Sequence, residues 1–336
     1  MCPPGVPRRV VLTADDFGLS EAVNEAVEQG HLEGILGAAS LMVAGPAAAD
    51  AVTRARRLPR LRVGLHLVLV EGPSVLGRAE IPDLVDRDGW FPPDQARLGI
   101  SYFFRPSLRR QLAREIRAQF AAFAATGLFL EHADAHKHMH LHPTVGRLMI
   151  EIGRSFGLAA VRVPREPPAV LGACGERVSL EARALAAWTR LLRRQVRRAG
   201  MRAPDHVFGL AWSGGMTAAR LAALAPRLPP GLSEIYVHPA SRTDPLLARL
   251  MPAYRQTEEL AALLDPMVAR VLSSVAEILP GYGGEPASLG EEPPLSTLPG
   301  GPRSTSPVVG PRNTSPAGGG GGAGAGGGLR GTGTKT

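Results

Sequence analysis

Short apolar runs alternate with amphipathic segments along most of the chain. RRVVLTA (8–14) predicts a buried strand, and EAVNEAVEQGHLEG after it predicts a helix capped by Ser20. Further strands are expected at 38–45, 61–72, from Leu128 into a histidine-rich segment, 158–166, 206–212 and 233–240. Further helices are expected at 46–58, 107–127, 143–157, 181–200, 217–228 and 257–279.

About seven such alternations imply parallel strands linked by helical crossovers. The predicted fold class is therefore α/β, a single (β/α) barrel of seven or so parallel strands, with an open doubly wound sheet as the alternative. Residues 1–279 are assigned to this domain, and residues 280–336, rich in Gly and Pro, are expected to form a disordered tail because they have too little apolar surface to bury.

Composition excludes several classes of protein. The formal charge is +8, but only two of the 38 basic residues are lysines, a bias more typical of a GC-rich genome than of a nucleic-acid surface. No nucleic-acid partner is expected, while contact with anionic lipid is left open. Cys2 and Cys174 provide no disulfide framework, and neither a signal peptide nor a membrane span is predicted. We expect a cytoplasmic protein, with a location at the inner face of the membrane as an alternative.

Polar residues follow the predicted strands, where α/β folds place their functional groups. They are Asp15 and Asp16 after the first strand, His66 on the third, Asp134 and His136 on the fourth, Arg162 on the fifth, and His238 on the last. Each alone has an ordinary explanation, such as a core histidine or a helix cap. Together they predict a site at one rim of the sheet, because buried charges need a partner or a cation.

The segment HADAHKHMHLHP (132–143) places five histidines and Asp134 at every second position from 132 to 142. In an extended strand His132 and His142 would lie about 33 Å apart, so one metal ion cannot bind the whole row. We assign His136 as a ligand, with His66 and Asp16 completing a set that leaves positions open for water and substrate. The expected cofactor is one divalent metal ion, and this ligand set does not decide its identity.

Five segments, in this order, resemble the YdjC-like carbohydrate deacetylases over about residues 8–270: TADDFGLSEAVNEAV, VGLHLVL, HADAHKHMHLHP, VRVPRE and SEIYVHPA. AHKHMHLHPT and SYFFRP are similar to the branch associated with hopanoid biosynthesis. The resemblance implies a barrel of the polysaccharide-deacetylase type, a divalent metal such as Mg²⁺ or Zn²⁺, and hydrolysis of an N-acetyl amide on a sugar. Two departures are Ala133, where many members have a bulkier residue, and the lack of an expected terminal strand.

The resemblance also assigns roles. Asp15 matches the catalytic base and His238 the acid that protonates the leaving amine, while Asp16 matches the carboxylate ligand beside the two imidazoles. A further three residues are assigned to substrate binding: Arg162, which has the alternative role of orienting Asp15, with Asp134 and His140.

The predicted function is removal of acetyl from an N-acetylglucosaminyl hopanoid, with chitooligosaccharides or another class of metal-dependent hydrolysis as alternatives. A phosphoesterase, a glycoside hydrolase and a metal-storage protein are the other classes considered. The expected partner is a small amino-sugar or glycolipid substrate; peripheral membrane contact and a homodimer are left open. Tyr102–Phe104, expected in a long loop, would receive a lipid group or anchor that loop.

Overall fold

A computed structural model describes residues 6–177 and 180–283. Strands and helices alternate along these residues. The strands are β1 (Arg8–Phe17), β2 (Ala38–Leu41), β3 (Arg62–Leu67), β4 (Ala133–Ala135), β5 (His206–Phe208), β6 (Gly231–Val237) and β7 (Glu277–Ile278). The α-helices are α1 (Glu21–Leu32), α2 (Ala48–Arg57), α3 (Gln95–Phe104), α4 (Pro106–Ala125), α5 (Pro143–Arg154), α6 (Pro168–Ala173), α7 (Leu180–Arg198), α8 (Ala218–Leu224), α9 (Pro245–Leu250), α10 (Gln256–Leu264) and α11 (Pro266–Val275). Two 3₁₀ helices span His136–Leu141 and Ala225–Arg227.

The strands form one parallel sheet in the order β4-β3-β2-β1-β6-β5, and β7 adds a short parallel pairing to β1. The α/β class is confirmed, but the sheet is a half-barrel, because no strand pairing joins its edges β4 and β5 within the described ranges. The strand predicted at 158–166 is wrong. This segment lies between those edges and forms isolated β-bridges instead. Ala133 of β4 bonds to it twice, from Ala133 N to Ala160 O at 3.0 Å and from Arg162 N to Ala133 O at 3.1 Å, and Val207 N of β5 donates to Arg165 O at 3.0 Å.

Two predicted segments differ from the structure. The loop expected after the third strand contains α3, whose first turn is capped by Asp94 accepting from Arg97 N at 2.9 Å. The long helix predicted at 257–279 is divided at Asp265-Pro266, since proline lacks the N–H that would continue the first helix. After α11 the chain forms β7, so the expectation that a terminal strand is missing is also wrong.

The inner face of the sheet changes from apolar to polar along the strands. Residues two apart on a strand share a face, and on β1 this face carries Val11, Thr13 and Asp15. Val11 belongs to a small buried cluster with Ala38, Ala160, Leu232 and Tyr282, separate from the main core between sheet and helices. Apolar residues therefore close one end of the inner face, and the candidate site residues occupy the other.

The folded unit continues beyond the predicted boundary at residue 279. Leu279 N donates to Val10 O at 2.7 Å, and Tyr282 is only 4% exposed. The remainder of the predicted tail, 284–336, lies outside the described residues. Within the described ranges, no helix combines the length and apolar content needed to cross a bilayer.

We expect Tyr282→Ala to lower the free energy of unfolding by about 3 kcal/mol, because it removes a buried aromatic ring and leaves a cavity. Urea unfolding monitored by circular dichroism measures this change. The control is Phe104→Ala, since Phe104 is 70% exposed and its truncation leaves no cavity. Equal stability of the two variants would contradict the assignment of residues 280–283 to the folded unit.

Candidate active site

A bulge at the end of β1 turns two consecutive aspartates toward the same site. The β1–β2 register shifts between Ala14 and Phe17, and Asp16 adopts a left-handed conformation with φ of 62°. In a regular strand Asp15 and Asp16 would face opposite sides of the sheet. The bulge removes this restriction, and Asp is among the few non-glycine residues that adopt this conformation readily.

Asp16, His66 and His136 form a compact group of metal-ligand atoms. Asp16 Oδ1 lies 3.4 Å from His66 Nε2 and 3.2 Å from His136 Nδ1, and the three ligand atoms all lie within 4.8 Å of one another. Both carboxylate oxygens of Asp16 are buried, and neither has a hydrogen-bond partner among the residues that the structure describes. A buried carboxylate in this state needs a cation, so these residues fit a divalent metal ion.

Asp134 fixes the orientation of the His66 ring. His66 Nδ1 contacts Asp134 Oδ1 at 2.8 Å, which directs Nε2 toward Asp16. Asp15, His66 and Asp134 form a second group with ligand atoms within 4.8 Å. Hydrogen bonds already occupy the carboxylates of Asp15 and Asp134, so the group that contains Asp16 fits a metal better.

Arg162 is completely buried and holds three carboxylates together. Its guanidinium donates to both oxygens of Asp15, at 2.6 and 2.8 Å. It also donates twice to Glu234 Oε1, at 2.9 and 2.7 Å, and lies 2.5 Å from Asp134 Oδ2. Burial alone would lower the pKa of Arg162, but Asp134, Asp15 and Glu234 raise it well above its usual value. This geometry favours an orienting role for Arg162 over direct contact with substrate.

The carboxylates also change the protonation of His66. Burial would lower its pKa, but the charges of Asp134 and Asp15 raise the pKa to about 10. Burial would raise the pKa of Asp16, but His136 and His66 hold it well below its usual value. Without a metal, the site at neutral pH therefore contains ionised Asp16 beside protonated His66.

The histidine row separates after His136. The chain enters a 3₁₀ helix there, with left-handed φ values of 50° at Lys137 and 54° at His138. His138 Nε2 contacts Tyr236 Oη at 2.9 Å, and His140 Nε2 contacts Arg162 O at 3.0 Å. Of this row, only His136 belongs to a metal-ligand group in the described part of the chain.

His238 lies at the end of β6, on another side of the site. Its ring is 5.6 Å from that of Tyr236 and 5.0 Å from that of Tyr254, while its backbone N–H donates to Glu259. His238 is close enough to Asp16 to contribute to the lowered pKa of that carboxyl group. Its Nδ1 is buried and has no hydrogen-bond partner in the described part of the chain.

The structure thus brings all eight predicted site residues to one region, but buries the three assigned to substrate. Arg162, Asp134 and His140 are each 0% exposed. Their partners are protein groups: Asp15 for Arg162, His66 for Asp134, and the Arg162 carbonyl for His140. Direct substrate contact is not available to them in this structure.

Sequence reasoning missed several residues that support the site. Glu234 lies on β6 with 0% exposure. Its acidic side chain within an otherwise mostly apolar strand is the signal that could have identified it. Glu259, also 0% exposed, accepts from the backbone N–H groups of Met216 and His238. No feature of the local sequence around Glu259 distinguishes it from a solvated helix residue.

The fold and site define an α/β half-barrel protein whose carboxylates and imidazoles gather at the carboxyl ends of the strands. Residues 9–274 match the family model described as YdjC-like protein. The chain belongs to the YdjC-like family.

Relatives with known names support this assignment. A carbohydrate deacetylase from Geobacillus stearothermophilus is 30% identical over 263 residues, which cover 78% of this chain and 91% of that protein. One from Brevibacillus brevis is 36% identical over 164 residues, and one from Vibrio vulnificus is 38% identical over 148. These two matches cover 49% and 44% of this chain, and 61% and 56% of the relatives' own lengths.

A crystal structure from Enterococcus faecalis, of a protein named for cellobiose-phosphate cleavage, has the same fold. It superposes with a TM-score of 0.65 at 22% identity, covering 82% of this chain and 98% of the other. At this identity the likeness supports the fold only.

We expect the affinity for Zn²⁺ to rise with pH. His66 must lose its proton to bind a metal, and its pKa of about 10 lies above neutral pH. Metal binding therefore releases a proton, and the apparent affinity should increase up to about tenfold per pH unit between about pH 6 and pH 9. Calorimetry in two buffers of different ionisation enthalpy measures the released proton. An affinity that does not change with pH would contradict the assignment of His66.

Proposed function

We propose that this protein is a metal-dependent hydrolase that removes an N-acetyl group from an amino sugar. The observation that carries the proposal is the arrangement of Asp16, His66 and His136 around a common point, with Asp15 held beside them by Arg162. The names of the relatives, carbohydrate deacetylase in each case reported above, favour this reaction over phosphoester or glycoside hydrolysis.

A bound divalent metal would polarise the acetyl carbonyl and lower the pKa of water by several units, to about 7 in favourable sites. Asp15 would accept the proton of the attacking water. One of its carboxylate oxygens lies within 4.8 Å of a ring nitrogen of His66, and the bidentate Arg162 contact keeps it from turning away. Each Asp15 oxygen retains a lone pair after this contact, so Arg162 orients the base without blocking it.

His238 would donate a proton to the departing amine. Imidazole changes charge close to neutral pH, which suits a group that must donate and recover a proton in each cycle. Glu259, held by the backbone N–H groups of Met216 and His238, lies beside His238 and fixes the backbone from which the ring projects. Tyr236 and Tyr254 restrict the ring by packing against it.

The substrate we propose is an N-acetylglucosaminyl glycolipid, and within this class an N-acetylglucosaminyl hopanoid. A groove of about 420 Å³ beside the histidine row supports the choice, since its lining includes Leu141, His142 and Trp188. The Phe103 ring is 6.0 Å from that of His142, and Phe103 and Phe104 are 49% and 70% exposed. These apolar side chains suit a lipid group and also peripheral contact with a membrane.

A second cavity favours chitooligosaccharides as the alternative substrate. It has a volume of about 710 Å³ and is lined by Trp90 and acidic residues that include Glu71 and Asp86. Glu71 pairs with Lys137, which directly follows the proposed ligand His136, so this cavity adjoins the site. An aromatic ring with hydrogen-bond acceptors is a common surface for sugar rings.

We expect Asp15→Asn to retain metal and lose turnover by about 10²–10⁴-fold, because the amide cannot accept the proton of water. His66→Ala should lose metal as well as turnover. Metal content by atomic absorption and acetate release measure the two effects. The control for His66→Ala is His31→Ala, since His31 Nδ1 hydrogen-bonds to the Leu36 carbonyl, at 2.9 Å, away from the site. Full activity in either Asp15→Asn or His66→Ala would overturn the assignment.

Acetate release tests the reaction itself. Metal-loaded protein should release acetate from an N-acetylglucosaminyl lipid, and a chelator should abolish the release. Diacetylchitobiose, assayed in parallel, distinguishes the glycolipid from the oligosaccharide by the larger kcat/KM. Bound metal without acetate from either substrate would contradict the proposed reaction.

A further inference from the structure

A series of buried polar side chains extends from the proposed metal ligands into the interior of the half-barrel. His132 Nδ1 contacts Glu131 Oε2 at 2.6 Å, and His132 Nε2 contacts Ser40 Oγ at 3.0 Å. Ser40 Oγ donates to Asp134 Oδ2 at 3.0 Å, and Asp134 Oδ1 contacts His66 Nδ1 at 2.8 Å. Each of these residues is at most 2% exposed. An unbroken series of hydrogen bonds therefore joins Glu131 to His66.

The hydrogen atoms of this series have one consistent arrangement. Ser40 has a single hydroxyl hydrogen, which it donates to Asp134, so it must accept from His132 Nε2. The Nδ1 hydrogen of His132 is donated to Glu131, whose carboxylate can only accept. His132 is then protonated on both nitrogens. Burial would lower its pKa, but Glu131 raises it, in agreement with this arrangement.

Packing around the series leaves His132 little freedom. A Cβ atom on Gly64 would lie 2.5 Å from the His132 ring, so this close approach requires glycine at residue 64. On another side the Tyr282 ring is 4.6 Å from the His132 ring, and Tyr282 N donates to Glu131 Oε1 at 2.7 Å. The end of the described chain thus holds the end of the series most distant from His66.

We propose that Glu131, His132 and Ser40 are positioning residues that fix Asp134 and, through it, the metal ligand His66. The Ser40 hydroxyl holds the Asp134 oxygen that does not contact His66. Without this bond the Asp134 carboxylate has one fewer constraint on its rotation, and the His66 ring loses part of its orientation. The inference rests on the proposed function in taking His66 as a metal ligand.

The test is the affinity of full-length Ser40→Ala for Zn²⁺, measured by competition with a chromophoric chelator. We expect binding up to about 10-fold weaker than wild type, because removing a group that directly orients a metal-binding histidine costs about 10–100-fold and Ser40 acts one contact further away, through Asp134. The matched control is Ser233→Ala. Ser233 is also 0% exposed on a strand, but its hydroxyl has no hydrogen-bond partner within 6–177 and 180–283. Thermal unfolding of the metal-free variants shows whether both remain folded.

A double variant tests whether Ser40 and His132 act through the same path. We expect His132→Gln to weaken Zn²⁺ binding, and Ser40→Ala combined with His132→Gln to weaken it little more than the stronger single change. Losses that multiply in the double variant would overturn a shared path.

The outcomes separate this inference from the proposed function. Ser40→Ala that binds Zn²⁺ as tightly as Ser233→Ala, with wild type binding normally, would overturn the inference alone. Wild-type protein that binds neither Zn²⁺ nor Co²⁺ would overturn both.

Discussion

The buried guanidinium of Arg162 is the contact on which the arrangement of the site depends. It binds Asp15, Asp134 and Glu234, which lie on three strands that are distant in sequence. Three carboxylates at this separation would repel one another strongly in a medium of low polarity. One cation with a planar set of donors satisfies them together and fixes their directions. Arg162 therefore positions Asp15, the proposed base, and Asp134, which orients the proposed ligand His66. Through Glu234 it also positions β6, which leads to His238.

Charge balance explains why the site is suited to a metal. Asp15, Asp16, Asp134 and Glu234 are buried carboxylates, and Arg162 neutralises only part of their charge. Against the effect of burial, the charges of Asp134 and Asp15 raise the pKa of His66 to about 10, and within the described residues the buried Asp16 carboxylate has no hydrogen-bond partner. A divalent cation at Asp16 would supply the missing positive charge and displace the proton from His66. The same electrostatic excess therefore favours metal binding and makes it dependent on pH.

Side chains two residues apart on a strand face the same side of the sheet, and this spacing brings the residues that hold the site together. His132, Asp134 and His136 follow one another on the inner face before the chain turns into the 3₁₀ helix. Asp134 connects Arg162, Ser40 and His66, so constraints from β2, β3 and the segment that contains Arg162 meet at one carboxylate. Buried polar groups stabilise a single arrangement when their hydrogen-bonding atoms have partners. Arg162 and Ser40 contact one oxygen of Asp134, and His66 contacts the other.

The sequence by itself determined the alternation of strands and helices and the residues at the strand ends, because hydrophobic period and turn residues are local properties. It also indicated Asp16, His66 and His136 as a group, since parallel strands end at one edge. Only the tertiary structure decided that Arg162, Asp134 and His140 face protein groups, that Glu234 and Ser40 take part, and that β4 and β5 do not pair. Those features depend on which side chains of distant strands meet in the interior. A local pattern contains no information on such pairings.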